Sequence, residues 1–260
     1  MSELKPIVAP RRLTVRLAHT AEDIAAVQRL RWRVFMEEMG ANATAPGMDA
    51  DAYDTLCDHL LVSDEDCPGE DRVVGTYRLL RESIARRHQG FYSAAEFDLA
   101  PLTTSRASAA GELLELGRSC VLPAYRTSAT ISMLWRGIAE YIASHNIGLM
   151  FGCASFPGTD PDLHAPALSF LYHHHLAAPQ QRPAVIAGKG VPLERLAPGS
   201  YDERRAMFEL PPLVKAYLRV GARFGDGAYI DHAFNTVDVC VVMPVELIAN
   251  RYAARFSVAA

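Results

Sequence analysis

The chain contains 260 residues, half of them hydrophobic and 22% charged, so it can build a core of ordinary size without disulfides or metal ions. A net charge of −4 and a pI near 6.1 argue against a nucleic-acid-binding protein with a broad basic face. No apolar run reaches the ~18 residues of a membrane-spanning helix, residues 1–12 have no signal-peptide pattern, and the five cysteines are irregularly spaced, so we expect a cytoplasmic protein with reduced thiols.

The first half of the chain predicts a strand, a helix and three further strands. Apolar and charged residues alternate over 13–17, as they do in a half-buried strand. Thr20 then caps a helix whose apolar residues recur at helical spacing through Met39. A short helix and loop are expected at 90–102. The three further strands are predicted at 60–63, 73–80 and 113–121.

The second half of the chain predicts alternating helices and strands. Helices are expected at 127–144, 168–175, 213–222 and 245–252. Strands are expected at 148–153, 184–187, 228–230 and 237–242. The strand at 148–153 is apolar throughout, which is typical of a central strand. This order of elements predicts one α/β sheet whose first half is antiparallel.

The most distinctive polar pattern lies in the strand at 113–121. Glu115 and Arg118 are three residues apart, so on a regular strand they would face opposite sides of the sheet. A bulge near Gly117 would bring both side chains to one site. Ionisable groups in an apolar strand are costly unless they are paired or used. A structural ion pair at the strand end explains the pattern equally well.

The turn after this strand leads into a helix with a small and polar first turn. Free amides at a helix N-terminus bind anions, and this one would suit the phosphate of a phosphopantetheine arm. Many strand-to-helix turns look similar, so the pattern alone is weak. The residues concerned are Arg126, Thr127, Ser128, Ala129 and Thr130.

A second polar group combines the first helix with the acidic loop that follows it. Arg31 and Phe35 share one helix face, and Asp49, Asp51 and Asp54 lie in the loop. Such carboxylates would bind an ammonium group or accept its proton, although a solvated acidic loop is the more common explanation. Arg78, inside the strand at 73–80, requires an acidic partner, which Glu115 or Asp54 would supply.

A run of three histidines, His173 to His175, invites a metal interpretation. Adjacent residues on a helix point in different directions, and no matching cysteine or carboxylate spacing accompanies them. We therefore expect packing and hydrogen bonding here, and no metal site.

Three motifs together carry a resemblance to a known family. They are LGRSCV at 116–121, GCASFPGTDP at 152–161 and FNTVDVC at 234–240. The chain resembles the ornithine-acyl carrier protein N-acyltransferases of bacterial ornithine-lipid synthesis, from about residue 13 to residue 248. It is more distantly similar to the acyl-homoserine-lactone synthases, through the residues of the two polar groups described above.

The resemblance implies an α/β fold of the GNAT-like acyltransferase type, with a mixed central sheet flanked by helices. It implies a single domain at residues 13–260, with a core at about 13–190 and a C-terminal extension at about 200–260. The implied reaction moves a (3-hydroxy)fatty acyl group from acyl carrier protein to the α-amine of ornithine. No cofactor is expected beyond the phosphopantetheine arm of the carrier protein, and the lipid product makes peripheral contact with the inner membrane reasonable.

The same resemblance implies roles for the polar residues. The expected catalytic residues are Glu115, Arg118 and Ser119. The expected substrate-binding residues are Arg31, Phe35, Asp51, Asp54 and Arg78, and Trp32 and Phe151 would join Phe35 along the acyl chain. The expected donor-binding residues are Val121, Arg126, Thr127, Ser128, Ala129 and Thr130, with the Val121 region as an oxyanion hole.

The sequence leaves several alternatives open. Glutamine or another amino acid fits the role of acceptor as well as ornithine does, because all amino acids share the α-amine and α-carboxylate. An acyl-homoserine-lactone synthase and a non-enzymatic acyl-carrier-binding or haemolysin-like protein are the other candidates. The R-x-x-G-x-G loop of coenzyme-A-dependent relatives appears at 126–131 without glycine, which favours a carrier-protein donor.

Overall fold

The computed structural model describes residues 11–42, 46–104 and 111–246, apart from the side chains at positions 70 and 71. Among the helices of these residues, none is both long and apolar enough to cross a lipid bilayer. The helices are α1 (Ala21–Trp32), α2 (Glu82–Ala85), α3 (Ala100–Thr104), α4 (Ser128–His145), α5 (Ala165–His175), α6 (Glu203–Glu209) and α7 (Pro212–Arg219). The strands are β1 (Leu13–Leu17), β2 (Asp58–Asp64), β3 (Val73–Arg81), β4 (Phe97–Asp98), β5 (Glu112–Val121), β6 (Ile147–Pro157), β7 (Ala184–Val185), β8 (Gly190–Val191), β9 (Arg223–Asp231) and β10 (Thr236–Pro244).

The ten strands found in the described residues form one mixed sheet. Their order is β1-β2-β3-β5-β6-β10-β9-β7-β4, and β8 pairs with β9 beside this path. The pairs β5–β6 and β7–β9 are parallel, and the remaining pairs are antiparallel. The sheet confirms the predicted antiparallel first half and the central position of the strand at 148–153.

Several elements differ in extent from those predicted. The helix that begins at Ala21 changes to a π-helix at Arg33–Glu38, and α6 was not predicted. Because β9 and β10 pair within the sheet next to β6, the segment from about residue 200 contributes to the sheet itself. The helix predicted at 245–252 lies, beyond residue 246, outside the described residues.

The two faces of the sheet are covered by different helices. Leu60 on β2 faces α4, where Gly137 permits close packing, because a Cβ atom there would lie 2.7 Å from the Leu60 side chain. His59, its neighbour on β2, points to the opposite face, as successive strand residues do. His59 pairs with Arg78 in the sheet, and its Nε2 lies 3.0 Å from the carbonyl oxygen of Asp54. We call these surfaces the α4 face and the α1 face.

The strands β5 and β6 separate halfway along their length. They are paired from Glu112 and Ile147 to Glu115 and Phe151. Beyond that point, among the described residues, β5 is paired only with β3, and β6 only with β10. A Cβ atom on Gly152 would lie 2.1 Å from the Leu116 carbonyl oxygen, so only glycine fits where the strands part. We call the resulting opening the strand gap.

A bulge in β5 lies beside this gap. Arg78 pairs with Gly117 and Thr76 with Cys120, so that Arg118 and Ser119 together oppose the single residue between them on β3. Arg118 adopts a left-handed backbone with φ of 47°. The bulge predicted near Gly117 is therefore confirmed, and it turns the Arg118 side chain to the α1 face.

Candidate active site

A cavity of about 960 Å³ passes through the sheet at the strand gap. Because side chains alternate along each strand, its lining comes from both faces. The α1 face contributes Arg78, Tyr92, Glu96 and Glu115, and the α4 face contributes Tyr77, Leu134 and Trp135. A molecule in this cavity therefore contacts polar groups at one end and apolar groups at the other.

A closed ring of three arginines and three aspartates lies on the α1 face, and we call it the charge ring. Each arginine contacts two aspartates, and each aspartate contacts two arginines. Successive N–O distances around the ring are 2.6, 3.1, 2.7, 3.0, 3.1 and 2.9 Å. In that order the members are Arg31, Asp54, Arg78, Asp51, Arg118 and Asp49.

Four of the six members of the charge ring are buried, and its charges balance. Arg31 is 0% exposed and Asp54 is 5% exposed, so each would be strongly destabilising without a partner. Burial alone would raise the pKa of Asp54, but the hydrogen bond and positive charge of Arg31 hold it well below its usual range. Asp54 therefore stays ionised inside the protein.

Some of the site residues predicted from the sequence line the cavity, and others lie behind its wall. Arg78 and Arg118 line the cavity, whereas Arg31, Asp51 and Asp54 are not among its lining residues. Asp51 and Asp54 therefore hold the lining arginines by direct ion pairs, and Arg31 acts on them only through the aspartates. Arg118 is fixed further, because its guanidinium lies 4.8 Å from the ring centre of Tyr92 and 4.3 Å from that of Phe234.

The predicted acyl slot is corrected in part. Phe35 lines the cavity and packs edge-to-face on Phe234, with 5.7 Å between ring centres. Trp32 and Phe151 are not lining residues. Phe151 instead lies 4.8 Å from Phe91 in the core of the α1 face, because β6 is still paired with β5 at that position.

Glu115 is buried in the cavity wall with its carboxylate fixed by the 3₁₀ turn Tyr92–Ala95. The amides of Tyr92 and Ser93 donate to it at 2.8 and 2.7 Å, and the Ser93 hydroxyl donates as well. Burial raises the pKa of the Glu115 carboxyl, and the Ser93 and Tyr92 hydrogen bonds limit that rise. The group is thus a somewhat strengthened base with a fixed orientation. Ser119 lines the same cavity.

The start of α4 borders the cavity on the α4 face. The Thr127 side chain caps the helix by accepting from the Thr130 amide at 3.4 Å. Of the predicted donor-binding residues, Val121, Arg126, Thr127 and Ser128 line the cavity, whereas the exposed Ala129 and the buried Thr130 do not. Arg126 also forms a bidentate ion pair with Glu38, at 2.6 and 2.7 Å.

The amide of Val121 points into the strand gap. The next residue, Leu122, donates its amide to the Val74 carbonyl on β3 at 2.9 Å. Successive amides alternate in direction along a strand, so the Val121 amide points away from β3. Its carbonyl accepts a hydrogen bond from Arg126 Nε at 3.0 Å.

A cluster of three carboxylates was missed by the sequence analysis. Glu96, Asp231 and Asp238 are buried, line the cavity and have carboxylate oxygens within 4.8 Å of one another. Burial raises the pKa of Glu96 to about 8 and that of Asp238 to about 6. We call this group the acidic cluster. Its members come from separate segments with no shared spacing, so no sequence signal could have united them.

The histidine run forms hydrogen bonds, as predicted. His173 lies 2.9 Å from the Tyr201 hydroxyl and 3.2 Å from Glu194, and His174 lies 3.0 Å from Glu203. These contacts attach α5 to the segment around α6.

Comparison with known proteins relates most of the chain to one group of enzymes. A family described as "Acetyltransferase (GNAT) domain" matches residues 30–136. The L-ornithine N(alpha)-acyltransferase of Agrobacterium fabrum (strain C58 / ATCC 33970) is 48% identical over 92% of this chain and 83% of that protein. The enzyme of the same name from Brucella abortus (strain 2308) is 46% identical, over 92% and 87%. The solved structure of the AHL synthase LasI aligns over 91% of each chain with a TM-score of 0.49 and 14% identity.

Replacing Asp54 by Asn should destabilise the protein, because it leaves Arg31 and Arg78 short of one counter-charge in a buried site. We expect the free energy of unfolding near pH 7 to fall by about 3–5 kcal/mol, as measured by urea denaturation. The folded-state pKa of Asp54 lies below its unfolded value. The contribution of Asp54 is therefore complete above about pH 4 and is lost as the pH falls from there toward the folded value, so the variant should have a flatter acid limb.

The matched control is Asp66→Asn. Asp66 forms a salt bridge with Arg12 at 2.7 Å, but both side chains are largely exposed, so its removal should change the unfolding midpoint little. Equal destabilisation by the two substitutions would contradict the structural role assigned to the charge ring.

Proposed function

The chain belongs to the L-ornithine N(alpha)-acyltransferase family, and we propose that it moves a (3-hydroxy)fatty acyl group from acyl carrier protein to the α-amine of ornithine. The products are an N-acyl ornithine, the lyso form of ornithine lipid, and the free thiol of the carrier protein. The observation that carries this proposal is the cavity through the strand gap. It has a helix N-terminus and apolar walls on one face, and arginines with carboxylates on the other.

The donor enters from the α4 face. The phosphate of a phosphopantetheine arm is attracted by the first turn of α4 and by Arg126, which then exchanges its contact with Glu38 for the phosphate. Trp135 and Leu134 give the acyl chain an apolar wall. A single phosphate suits this helix start, which lacks the glycines of a diphosphate loop. This supports a carrier protein as donor rather than free coenzyme A.

The acceptor binds on the α1 face. Arg78 and Arg118 offer fixed positive charge to the α-carboxylate, as arginine does in bidentate pairs. Glu115 accepts a proton from the α-ammonium, directly or through water. The free amine then attacks the thioester carbon. The Val121 amide stabilises the oxyanion that forms, the carbon–sulfur bond breaks, and the leaving thiolate takes up a proton.

A thiol-release assay tests the donor and the acceptor together. Purified protein is mixed with 3-hydroxyacyl carrier protein or the matching acyl coenzyme A, and with ornithine, glutamine or S-adenosylmethionine in turn. We expect thiol release with the carrier-protein donor and ornithine, and an N-acyl ornithine by mass spectrometry. Release only with glutamine or S-adenosylmethionine would reassign the acceptor, and release only with coenzyme A would reassign the donor. Acyl-carrier binding without transfer would favour the non-enzymatic alternative.

Replacing Glu115 by Gln should lower kcat at least about 100-fold, because general-base catalysis contributes that much or more. Its KM for the acyl donor should change little. Ser93→Ala is the control, since it removes one hydrogen bond to Glu115 but keeps the carboxylate, and it should retain most of the activity. The measurement is steady-state thiol release, with thermal unfolding to verify the fold. Near-normal turnover by the Gln variant would exclude Glu115 as the base.

Peripheral membrane contact is supported by an exposed apolar pair at the end of α6. Phe208 is 80% exposed and Met207 is 51% exposed, and they shortly precede Pro211, which lines the cavity. Lys215 lies 5.1 Å from the Phe208 ring centre. Apolar side chains beside basic ones bind anionic lipid surfaces.

Phe208→Ser should therefore weaken co-sedimentation with anionic phosphatidylglycerol vesicles and leave kcat with dissolved substrates unchanged. Vesicles of phosphatidylcholine serve as the uncharged control and should bind either protein weakly. Unaltered binding of the variant to the anionic vesicles would contradict this contact.

A further inference from the structure

The acidic cluster has an unusual charge balance for a buried site. Glu96, Asp231 and Asp238 are 6%, 8% and 6% exposed. Among the described residues, no arginine, lysine or histidine forms a salt bridge with any of the three, and Arg118 pairs with Asp49 and Asp51 instead. By contrast, every carboxylate of the charge ring contacts two arginines. Buried carboxylates without a counter-charge are costly, so they hold protons more tightly, and a cation that enters the cluster would replace those protons favourably.

One fully buried oxygen of the cluster lacks a hydrogen-bond donor among the described residues. Asp231 Oδ1 accepts the amides of Ala233 and Phe234 at 2.7 and 2.9 Å, and thereby fixes the turn between β9 and β10. Glu96 Oε2 accepts from the thiol of Cys153 at 3.1 Å. Asp238 is almost fully buried, and its Oδ1 has no well-formed hydrogen bond among the described residues; the nearby hydroxyls of Ser155 and Thr236 only limit the rise in the pKa of Asp238 that burial causes. An orphaned buried acceptor of this kind indicates a missing donor.

The cluster lies on the same face as the other acceptor-side residues. Asp238 and Cys240 share a face of β10, and Cys240 packs with Phe151 and Leu80 in the core of the α1 face. All three carboxylates line the cavity that also exposes Arg78, Arg118 and Glu115. The missing donor would therefore arrive as part of the acceptor.

We propose that the acidic cluster binds the side-chain ammonium of ornithine and sets the preference of the enzyme for a cationic amino acid. The proposal rests on the function proposed above. An ammonium group has three N–H donors, which matches three converging carboxylates and satisfies Asp238 Oδ1. Arg78 and Arg118, on the same face of the sheet as the cluster, take the α-carboxylate, so the amino acid is held by opposite charges at its two ends.

A divalent cation is the rival occupant, because carboxylates are also metal ligands. Hard cations take about six oxygen ligands in regular geometry. Here Asp231 Oδ1 is occupied by two amides, and Glu96 is bonded to a thiol. An ammonium needs only three acceptors, which the remaining carboxylate oxygens can supply, whereas a divalent ion needs about six, so the cluster fits an ammonium better, and the experiment separates the two.

The test compares ornithine with norvaline, which has the same carbon chain without the terminal amine. For Asp238→Asn we expect kcat/KM with ornithine to fall at least about 30-fold, the usual effect of removing one partner of a buried charge pair. With norvaline, kcat/KM should fall less than about threefold, so the ratio of kcat/KM for ornithine to kcat/KM for norvaline should fall at least about tenfold. Glu140→Gln on the exposed surface of α4 is the matched control and should leave the ratio unchanged.

Binding is also measured without acyl transfer, so that failure of this proposal is distinguishable from failure of the proposed function. Ornithine, but not norvaline, should raise the melting temperature of the unaltered protein, and Asp238→Asn should abolish that shift. Equal losses of kcat/KM with ornithine and norvaline, or an unchanged rise in the melting temperature of the variant with ornithine, would overturn the proposal. Loss of the effect in EDTA with recovery in Mg²⁺ would assign the cluster to a metal instead. Absence of transfer to any amine, with the thermal shift intact, would count against the proposed function alone.

Discussion

The charge ring is the interaction on which the rest of the site depends. Arginine is hard to bury because its charge is lost only at extreme pH, yet Arg31 is fully enclosed. Its cost is offset only because Asp49 and Asp54 are enclosed beside it and reach onward to Arg118 and Arg78. A closed ring fixes six side chains with no net charge. It therefore joins α1, the loop after it, β3 and β5 into one rigid wall.

The charge ring also stabilises the bulge in β5. An extra strand residue turns Arg118 to the α1 face, and the left-handed backbone there would be unfavourable for most residues. The contacts of Arg118 with two aspartates and two aromatic rings compensate for this conformation. Next to the bulge, the separation of β5 from β6 leaves backbone amides such as that of Val121 without a neighbouring strand. The strained backbone of Arg118, its fixed positive charge and the strand gap thus all occur in one short stretch of β5.

Local features of the fold were readable from the sequence, and long-range ones were not. The cap at Thr20, the amphipathic α4 and the bulge near Gly117 follow from a few consecutive residues. The charge ring joins residues as far apart as Asp49 and Arg118, so the sequence indicated its members but not their closed arrangement. The acidic cluster gave no signal, because Glu96, Asp231 and Asp238 are ordinary isolated carboxylates until the sheet brings them together. Motif resemblance supplied the function, which physical reasoning from composition alone would have left undetermined.

A passage that crosses a β-sheet has a consequence for how the product departs. In the proposed reaction the two substrates approach from opposite faces, so the product would extend through the strand gap from one face of the sheet to the other. Product departure in that reaction has to free both ends of the molecule, the charged end on the α1 face and the hydrocarbon end against the apolar walls of the α4 face.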